Sequence, residues 1–231
     1  MQRKLTIRIV IMICLFMLTN NSLIVYSAPS HTILQKYYQQ QKNLQYPYLT
    51  NAPNNKAQNK INQALKKHII QSNKEYEELK KLEESIKNDP HCKESNPTCD
   101  YEYLTTYKVL YDDNNQLSII FYDYRFTGGA HGSTLVTTYN FDVKSGEQYT
   151  LNDFIKHEKK YDEVTNFIKE YAKKHPEIFY SDIEDWKDFT VSSTTNFYLA
   201  KDGIYLIFQQ YEVGPYVSGT PTVFIPKSVY Q

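Results

Sequence analysis

Two segments of this 231-residue chain combine glycines with side chains that can exchange protons or contact a ligand. The first runs from Tyr124 to Gly132 (YRFTGGAHG), and the second runs from Phe208 to Tyr216 (FQQYEVGPY). Each begins as an aromatic, strand-like run and ends in a turn where glycine permits backbone angles that other residues avoid. The pattern predicts two loops that meet at one edge of a sheet.

His131 has the widest chemical range of any residue in the first turn. Imidazole titrates near neutral pH, as a general base requires, and Asp123, Tyr124 or Glu212 could orient it. Three roles stay open: a hydrogen bond to a backbone carbonyl that pins the turn, direct contact with a ligand, and catalysis. No serine or cysteine lies in a recognisable nucleophile elbow. The other histidines are dispersed along the chain, so we predict neither a metal site nor a cofactor.

Glu212 begins the second turn, and two roles are open for its carboxylate. It either bonds to the backbone of a neighbouring loop or forms a charged rim beside Tyr216. Pro215 stiffens this loop, so little conformational entropy is lost when a ligand binds. The candidate binding residues of both turns are therefore Tyr124, Gly129, His131, Glu212, Pro215 and Tyr216.

The order of these motifs resembles the PdaC/RsiV-like extracellular domain family over residues 100–228. The resemblance is carried by YxxTGGAHG at 124–132, NFD at 140–142, FQxYExGPY at 208–216 and FIP at 224–226. In that family the domain forms the outer part of lysozyme-sensing anti-sigma factors and precedes the catalytic domain of certain peptidoglycan deacetylases. The resemblance implies a cell-envelope role in which the domain binds lysozyme or a cell-wall glycan.

Neither signalling nor deacetylation is expected to carry over from the family. Only residues 1–8 precede the N-terminal apolar run, and no deacetylase domain follows Gln231. We therefore expect a secreted or cell-surface, non-enzymatic binding module of the bacterial envelope. The alternative is a hydrolase of cell-wall glycan that uses His131 and Glu212 as base and acid.

Residues 1–27 have the pattern of a secretory signal peptide. Three basic residues precede an apolar run from Ile9 to Leu18, and small residues surround the junction before Ala28. The run is about half as long as a membrane-spanning helix requires. We predict export with cleavage, which leaves no membrane span, and an uncleaved N-terminal anchor is the alternative.

Charge and cysteine usage narrow the function further. The first 27 residues hold three of the 26 basic residues and no acidic one, so 23 basic and 26 acidic residues remain. This balance lacks the basic excess of a nucleic-acid or anionic-membrane binder. Cys92 and Cys99 form a close pair, which predicts a disulfide in an oxidising compartment. A metal-binding pair is the alternative, although no second pair of ligands has suitable spacing.

Periodicity along the chain predicts an α+β fold, with one long and one medium helix packed on an antiparallel β-sheet. Region 28–100 is expected to be a smaller N-terminal α/β region with the long helix, and 101–231 an RsiV-like C-terminal α+β domain. The predicted helices span 56–88 and 161–174, and the predicted strands span 103–111, 116–126, 134–143, 196–200, 204–210 and 222–225.

Overall fold

A computed structural model describes residues 31–87, 89, 92, 99–182 and 186–231. The predicted signal peptide lies outside these residues, so its cleavage stays a prediction. None of the helices in the described ranges is long and apolar enough to cross a membrane. In chain order the elements are β1 (Thr32–Tyr37), β2 (Gln45–Thr50), α1 (Asn55–Ile86), β3 (Tyr101–Asp112), β4 (Gln116–Thr127), β5 (Ser133–Asp142), β6 (Gln148–Tyr149), α2 (Glu158–Lys173), β7 (Phe197–Ala200), β8 (Gly203–Ile207), β9 (Thr222–Pro226) and α3 (Lys227–Tyr230).

The strands of the described residues form three antiparallel sheets, with orders β1-β2, β3-β4-β5-β6 and β7-β8-β9. The predicted α+β class is confirmed, as are the long and medium helices. The strands divide over three sheets rather than one, and the long and medium helices pack on different sheets. The predicted division at residue 100 stays a prediction.

Helix α1 packs on the four-stranded sheet through a regular apolar stripe. Asn54 caps its first turn by accepting hydrogen bonds from the backbone N–H groups of Lys56 and Ala57. Ile61 and Leu65 are fully buried against the side chains of β4 and β5. Burial of this stripe is what fixes the helix, because an isolated helix of such polar composition gains little in water.

Strand β4 is covered on both faces, as its sequence predicts. Phe121 faces α1, whereas Ile120 packs on the opposite face with Ile207 of β8. Successive side chains of a strand point to opposite faces. A strand that is apolar on both faces therefore needs a layer on each side, and the three-stranded sheet supplies the second layer.

The outer edge of β7 docks on the four-stranded sheet through polar side chains. Ser118 Oγ accepts a hydrogen bond from Leu199 N at 3.0 Å, and Asn140 Nδ2 donates to Phe197 O at 2.8 Å. These bonds satisfy backbone groups that would otherwise be buried without partners. Helix α2 covers the other face of the three-stranded sheet, where its Val164 and Ile168 are completely buried.

Two further features of the sequence have clear outcomes. Cys92 and Cys99 form the predicted disulfide. The strand predicted over 204–210 ends at Ile207, because Gln209 and Gln210 leave the sheet and bond through their side chains to β5.

Candidate functional site

The two glycine-bearing turns lie against each other, as predicted. The rings of His131 and Tyr216 stack with their centroids 3.7 Å apart and an interplanar angle of 19°. The Tyr211 hydroxyl lies 3.4 Å from His131 Nε2, and its ring centroid lies 5.8 Å from that of Tyr216. These three rings form a continuous surface, which we call the aromatic platform. Tyr211 was not among the predicted site residues.

Two glutamines fix the second turn to the free edge of β5. Gln209 accepts a hydrogen bond from Val136 N at 2.9 Å and donates one to Val136 O at 2.8 Å, as a neighbouring strand would. Gln210 accepts a hydrogen bond from Thr134 N at 2.6 Å. The side-chain amides thereby replace a strand at this edge and hold the 208–216 segment beside the first turn.

The glycines of the first turn act in two ways. Gly128 and Gly129 have positive φ angles of 85° and 95°, which residues other than glycine rarely adopt. A Cβ at Gly132 would instead lie 2.5 Å from the Tyr124 ring, so a larger residue here requires that ring to move. Tyr124 therefore lies beneath the turn and supports it from the face opposite Asp123.

The second turn is braced from below by residues 178–180. A Cβ at Gly214 would lie 2.3 Å from the carbonyl oxygen of Ile178, which also accepts a hydrogen bond from Ser218 Oγ at 2.5 Å. The backbone N–H of Tyr180 donates to Val213 O at 3.0 Å. These contacts leave Pro215 exposed on a turn whose backbone is fixed on both sides.

The hydrogen bonds of His131 match the first of its three predicted roles. Its Nδ1 lies 3.1 Å from the carbonyl oxygen of Gly132. A carbonyl only accepts, which assigns the proton to Nδ1 and leaves Nε2 to accept from the Tyr211 hydroxyl. His131 therefore pins its turn while its ring remains exposed.

Glu212 forms its hydrogen bond within its own turn. Its carboxylate accepts from the backbone N–H of Gln209 at 2.7 Å. Burial raises the pKa of Glu212 above its usual value, although the Gln209 N–H bond opposes this shift. Among the described residues the carboxylate makes no hydrogen bond to His131. The two side chains considered as base and acid are therefore not joined to each other, and each bonds to the backbone of its own turn.

Asp123 was considered a partner of His131, but its side chain points to the other face of β4 and meets α1. Its Oδ2 lies 3.0 Å from His68 Nε2, and both side chains are about nine-tenths buried, with 9% and 10% exposed. Oδ1 accepts hydrogen bonds from Thr105 at 2.6 Å and from Ser72 at 2.9 Å. This buried cluster was missed because the histidines were judged to be dispersed.

The cluster holds its carboxylate in the charged form. Burial alone would raise the pKa of Asp123, but the bond and charge of His68 and the hydroxyls of Thr105 and Ser72 lower it below its usual value. His68 is stacked on Phe121, with ring centroids 3.9 Å apart. Two signals could have identified the cluster: polar Ser72 within the buried stripe of α1, and an acidic residue within the apolar strand β4.

The described residues hold no group of three His, Cys, Asp or Glu side chains that could bind a metal ion.

Comparison with known proteins agrees with the motifs. Residues 35–134 match the family model described as deacetylase PdaC, and residues 146–228 match the model described as protein of unknown function DUF3298. The chain contains a PdaC/DUF3298-like domain. The family resemblance expected from the motifs is thereby confirmed.

The PdaC/DUF3298-like chain is similar to the peptidoglycan-N-acetylmuramic acid deacetylase PdaC of Bacillus subtilis (strain 168). The two are 27% identical over 131 residues, which cover 55% of this chain and 28% of the deacetylase. The match thus spans less than a third of the length of that relative.

Two solved structures share the fold. The DUF3298-family protein of Bacteroides fragilis NCTC 9343 has a TM-score of 0.63 and 18% identity, covering 86% of this chain and 88% of its own. The DUF3298-family protein of Pseudomonas aeruginosa PAO1 has a TM-score of 0.55 and 16% identity, covering 88% and 93%. At these identities the likeness establishes the fold alone.

Proposed function

We propose that the protein is a non-enzymatic binding module of the bacterial cell envelope whose aromatic platform binds a glycan strand of peptidoglycan. The observation that carries the proposal is the stack of exposed His131 on partly buried Tyr216, with exposed Tyr211 beside it. Tyr211 has 53% of its surface exposed, and neighbouring Val217 has 87% exposed. Three adjoining rings at the surface exceed what a solvated turn needs for its own stability.

The chemistry of the platform suits sugar rings. Aromatic side chains present an apolar face and, in tyrosine and histidine, polar atoms at the edge. A pyranose ring can pack its C–H face on such a surface while its hydroxyls bond to the polar edge. The Gln209 and Gln210 bonds hold the platform in place before binding, so little entropy is lost on association.

The hydrogen bonding of the two candidate catalytic residues favours binding over hydrolysis. His131 donates a hydrogen bond from its Nδ1–H to Gly132 O, and the Glu212 carboxylate accepts one from the Gln209 N–H. Each group thus already has a hydrogen-bond partner in the backbone of its own turn. The similarity to a named peptidoglycan deacetylase supports a wall glycan as the ligand class.

A location outside the cytoplasm belongs to the same proposal. The disulfide between Cys92 and Cys99 favours an oxidising compartment. The signal-peptide pattern of residues 1–27 agrees with export. Both features support a location in which peptidoglycan or lysozyme is accessible to the platform.

Titration calorimetry tests the proposal with the protein lacking its predicted signal peptide. The probes are a peptidoglycan tetrasaccharide and, as the second partner implied by the family, lysozyme. We expect the tetrasaccharide to bind and the Tyr216→Ala variant to bind about fivefold more weakly, since an aromatic contact contributes about 1 kcal/mol. Tyr37→Ala, at an exposed tyrosine on β1, is the matched control.

Three results would overturn the glycan proposal. The first is no heat with the tetrasaccharide. The second is an equal loss of affinity in the Tyr37→Ala and Tyr216→Ala variants. The third is heat with lysozyme alone, which would assign the platform to a protein partner instead. Release of reducing ends from the tetrasaccharide would contradict the non-enzymatic part.

A further inference from the structure

A groove runs along one flank of α1 beside β5. Two adjoining cavities of about 370 and 440 Å³ form it, and they share His68 and Gln71 as lining residues. The groove follows α1 from Ala64 to Glu75, which corresponds to about 16 Å of helix. Its walls include Lys67, Gln71 and Lys74 from α1 and Ser133, Leu135 and Thr137 from β5.

The floor of the groove is the buried pair of His68 and Asp123. The carboxylate is already surrounded by His68 and by hydroxyl donors on its other oxygen. His68 Nε2 lies 3.0 Å from the carboxylate but lacks a well-aligned hydrogen-bond partner among the described residues. The carboxylate at the floor is therefore hydrogen-bonded from within the protein, and a ligand in the groove meets it together with its donors.

The rim of the groove carries an excess of positive charge. Lys67, Lys74 and Arg125 face a single acidic side chain, Glu75. Arg125 Nη1 lies 3.9 Å from Glu75 Oε2, at the limit of an ion pair. Neither lysine forms a salt bridge within the described part of the chain. This local excess contrasts with the slight acidic excess of the chain beyond residue 27.

The groove also adjoins the aromatic platform. Ser133 lines the groove and is two residues beyond His131, so their Cα atoms are at most about 7 Å apart. The remaining wall residues, among them Gln71 and Thr137, offer amide and hydroxyl groups of the kind that bond to sugar hydroxyls. The chain therefore passes from the groove wall to the platform within two residues at the start of β5.

We propose that this groove binds the carboxylate-bearing portion of a glycan strand and discriminates acidic glycans from neutral ones. The inference rests on the proposed function, because the platform would hold the neighbouring part of the same strand. Lys67 and Lys74 contact the carboxylates of the acidic sugars, and hydroxyl and amide groups of the walls contact the sugar rings. The ligand class is thus an acidic amino-sugar polymer rather than chitin.

The test compares two probes of equal length. One is a tetrasaccharide of alternating N-acetylglucosamine and N-acetylmuramic acid with free lactyl carboxylates, and the other is neutral chitotetraose. We expect the protein to bind the acidic probe about three- to tenfold more tightly, which is the scale of two exposed ion pairs. The preference should decrease as salt is added, because both lysines are exposed.

Charge-neutral variants identify the residues. The double variant K67Q/K74Q should lose the preference while still binding chitotetraose through the platform. The control K66Q/K81Q removes the same charge from exposed positions of α1 that do not line the groove, and it should keep the preference.

The outcomes separate this inference from the proposed function. Equal affinity of the unaltered protein for both probes would overturn the proposed role of the groove and would not affect the proposed role of the platform. Retention of the preference in K67Q/K74Q, or its equal loss in K66Q/K81Q, would also overturn the groove alone. Failure of the unaltered protein to bind either probe would overturn both proposals.

Discussion

His131 and Tyr211 are separated by 80 positions in the sequence, yet the imidazole Nε2 and the phenol oxygen lie 3.4 Å apart. The two residues lie on different turns that are not adjacent in the sequence. The juxtaposition depends on the amides of Gln209 and Gln210, which join the second turn to the edge of β5. The geometry of the proposed binding surface is therefore a property of that edge.

Replacing Gln209 by alanine tests this dependence. Both hydrogen bonds to Val136 would be lost, and unsatisfied backbone groups cost about 1–3 kcal/mol. We expect the free energy of unfolding in urea to fall by that amount and the affinity for the tetrasaccharide to fall as well. Gln63→Ala, at an exposed position of α1, is the control. Equal stabilities of the two variants would show that the bridge is dispensable.

Two glycines of the first turn should respond differently to substitution. Gly132→Ala places a methyl group 2.5 Å from the Tyr124 ring and should cost about 1–3 kcal/mol through overpacking. Gly129→Ala meets no atom within 4 Å but has a φ of 95°, so its cost of about 1–3 kcal/mol comes from the backbone.

A double-mutant cycle with Tyr124→Leu separates the two costs. The smaller side chain should relieve part of the Gly132→Ala penalty and none of the Gly129→Ala penalty, as measured by urea unfolding. Identical behaviour of both glycine variants in the Tyr124→Leu background would refute the packing explanation.

Asp123 should contribute to stability at neutral pH and lose that contribution in acid. Its pKa in the folded protein is lowered from the ordinary value of 3.8. The stabilisation is therefore present above about pH 4 and is lost as pH falls toward the lowered pKa. Asp123→Asn should be clearly less stable than the unaltered protein at pH 7, and the difference should shrink at pH 3.

Urea unfolding at pH 7, 5 and 3 measures that difference. Asp162→Asn, at an exposed position of α2, is the control and should show only a small difference. A stability gap between Asp123→Asn and the unaltered protein that stays constant from pH 7 to pH 3 would rule out an ionised native carboxylate.

The disulfide between Cys92 and Cys99 should stabilise the fold by roughly 2–3 kcal/mol, because it closes a short loop in the unfolded chain. The double variant with serine at both positions should melt at a lower temperature than the oxidised protein, as followed by circular dichroism. Reductant should lower the melting temperature of the unaltered protein and leave that of the double variant unchanged. A melting temperature insensitive to both changes would be inconsistent with this contribution.

Local patterns in the sequence predict much of the fold. The apolar spacing of α1 and the two-sided apolar character of β4 predict both elements because each pattern reports its own burial. Strand β1 could not be predicted in this way, since most of its side chains are exposed and show no apolar alternation. The separation into three sheets also depends on which edges meet in space, and no local pattern records this.

The candidate site shows the same limit. Its two turns could be predicted from their glycines and motifs, whereas the pairing of His68 with Asp123 requires knowing which face of β4 meets α1. Gln209 and Gln210 directly follow the apolar and aromatic run of β8, so their departure from the sheet is visible only once β5 is in place.

Closing the rim of β5 with glutamine amides has a consequence for self-association. A bare strand edge is a template on which the strand of another molecule can add, and repeated addition gives fibrils. Gln209 and Gln210 occupy that template from within the same molecule. The residues that aim the proposed recognition surface thus also cover this stretch of edge against strand addition by another copy.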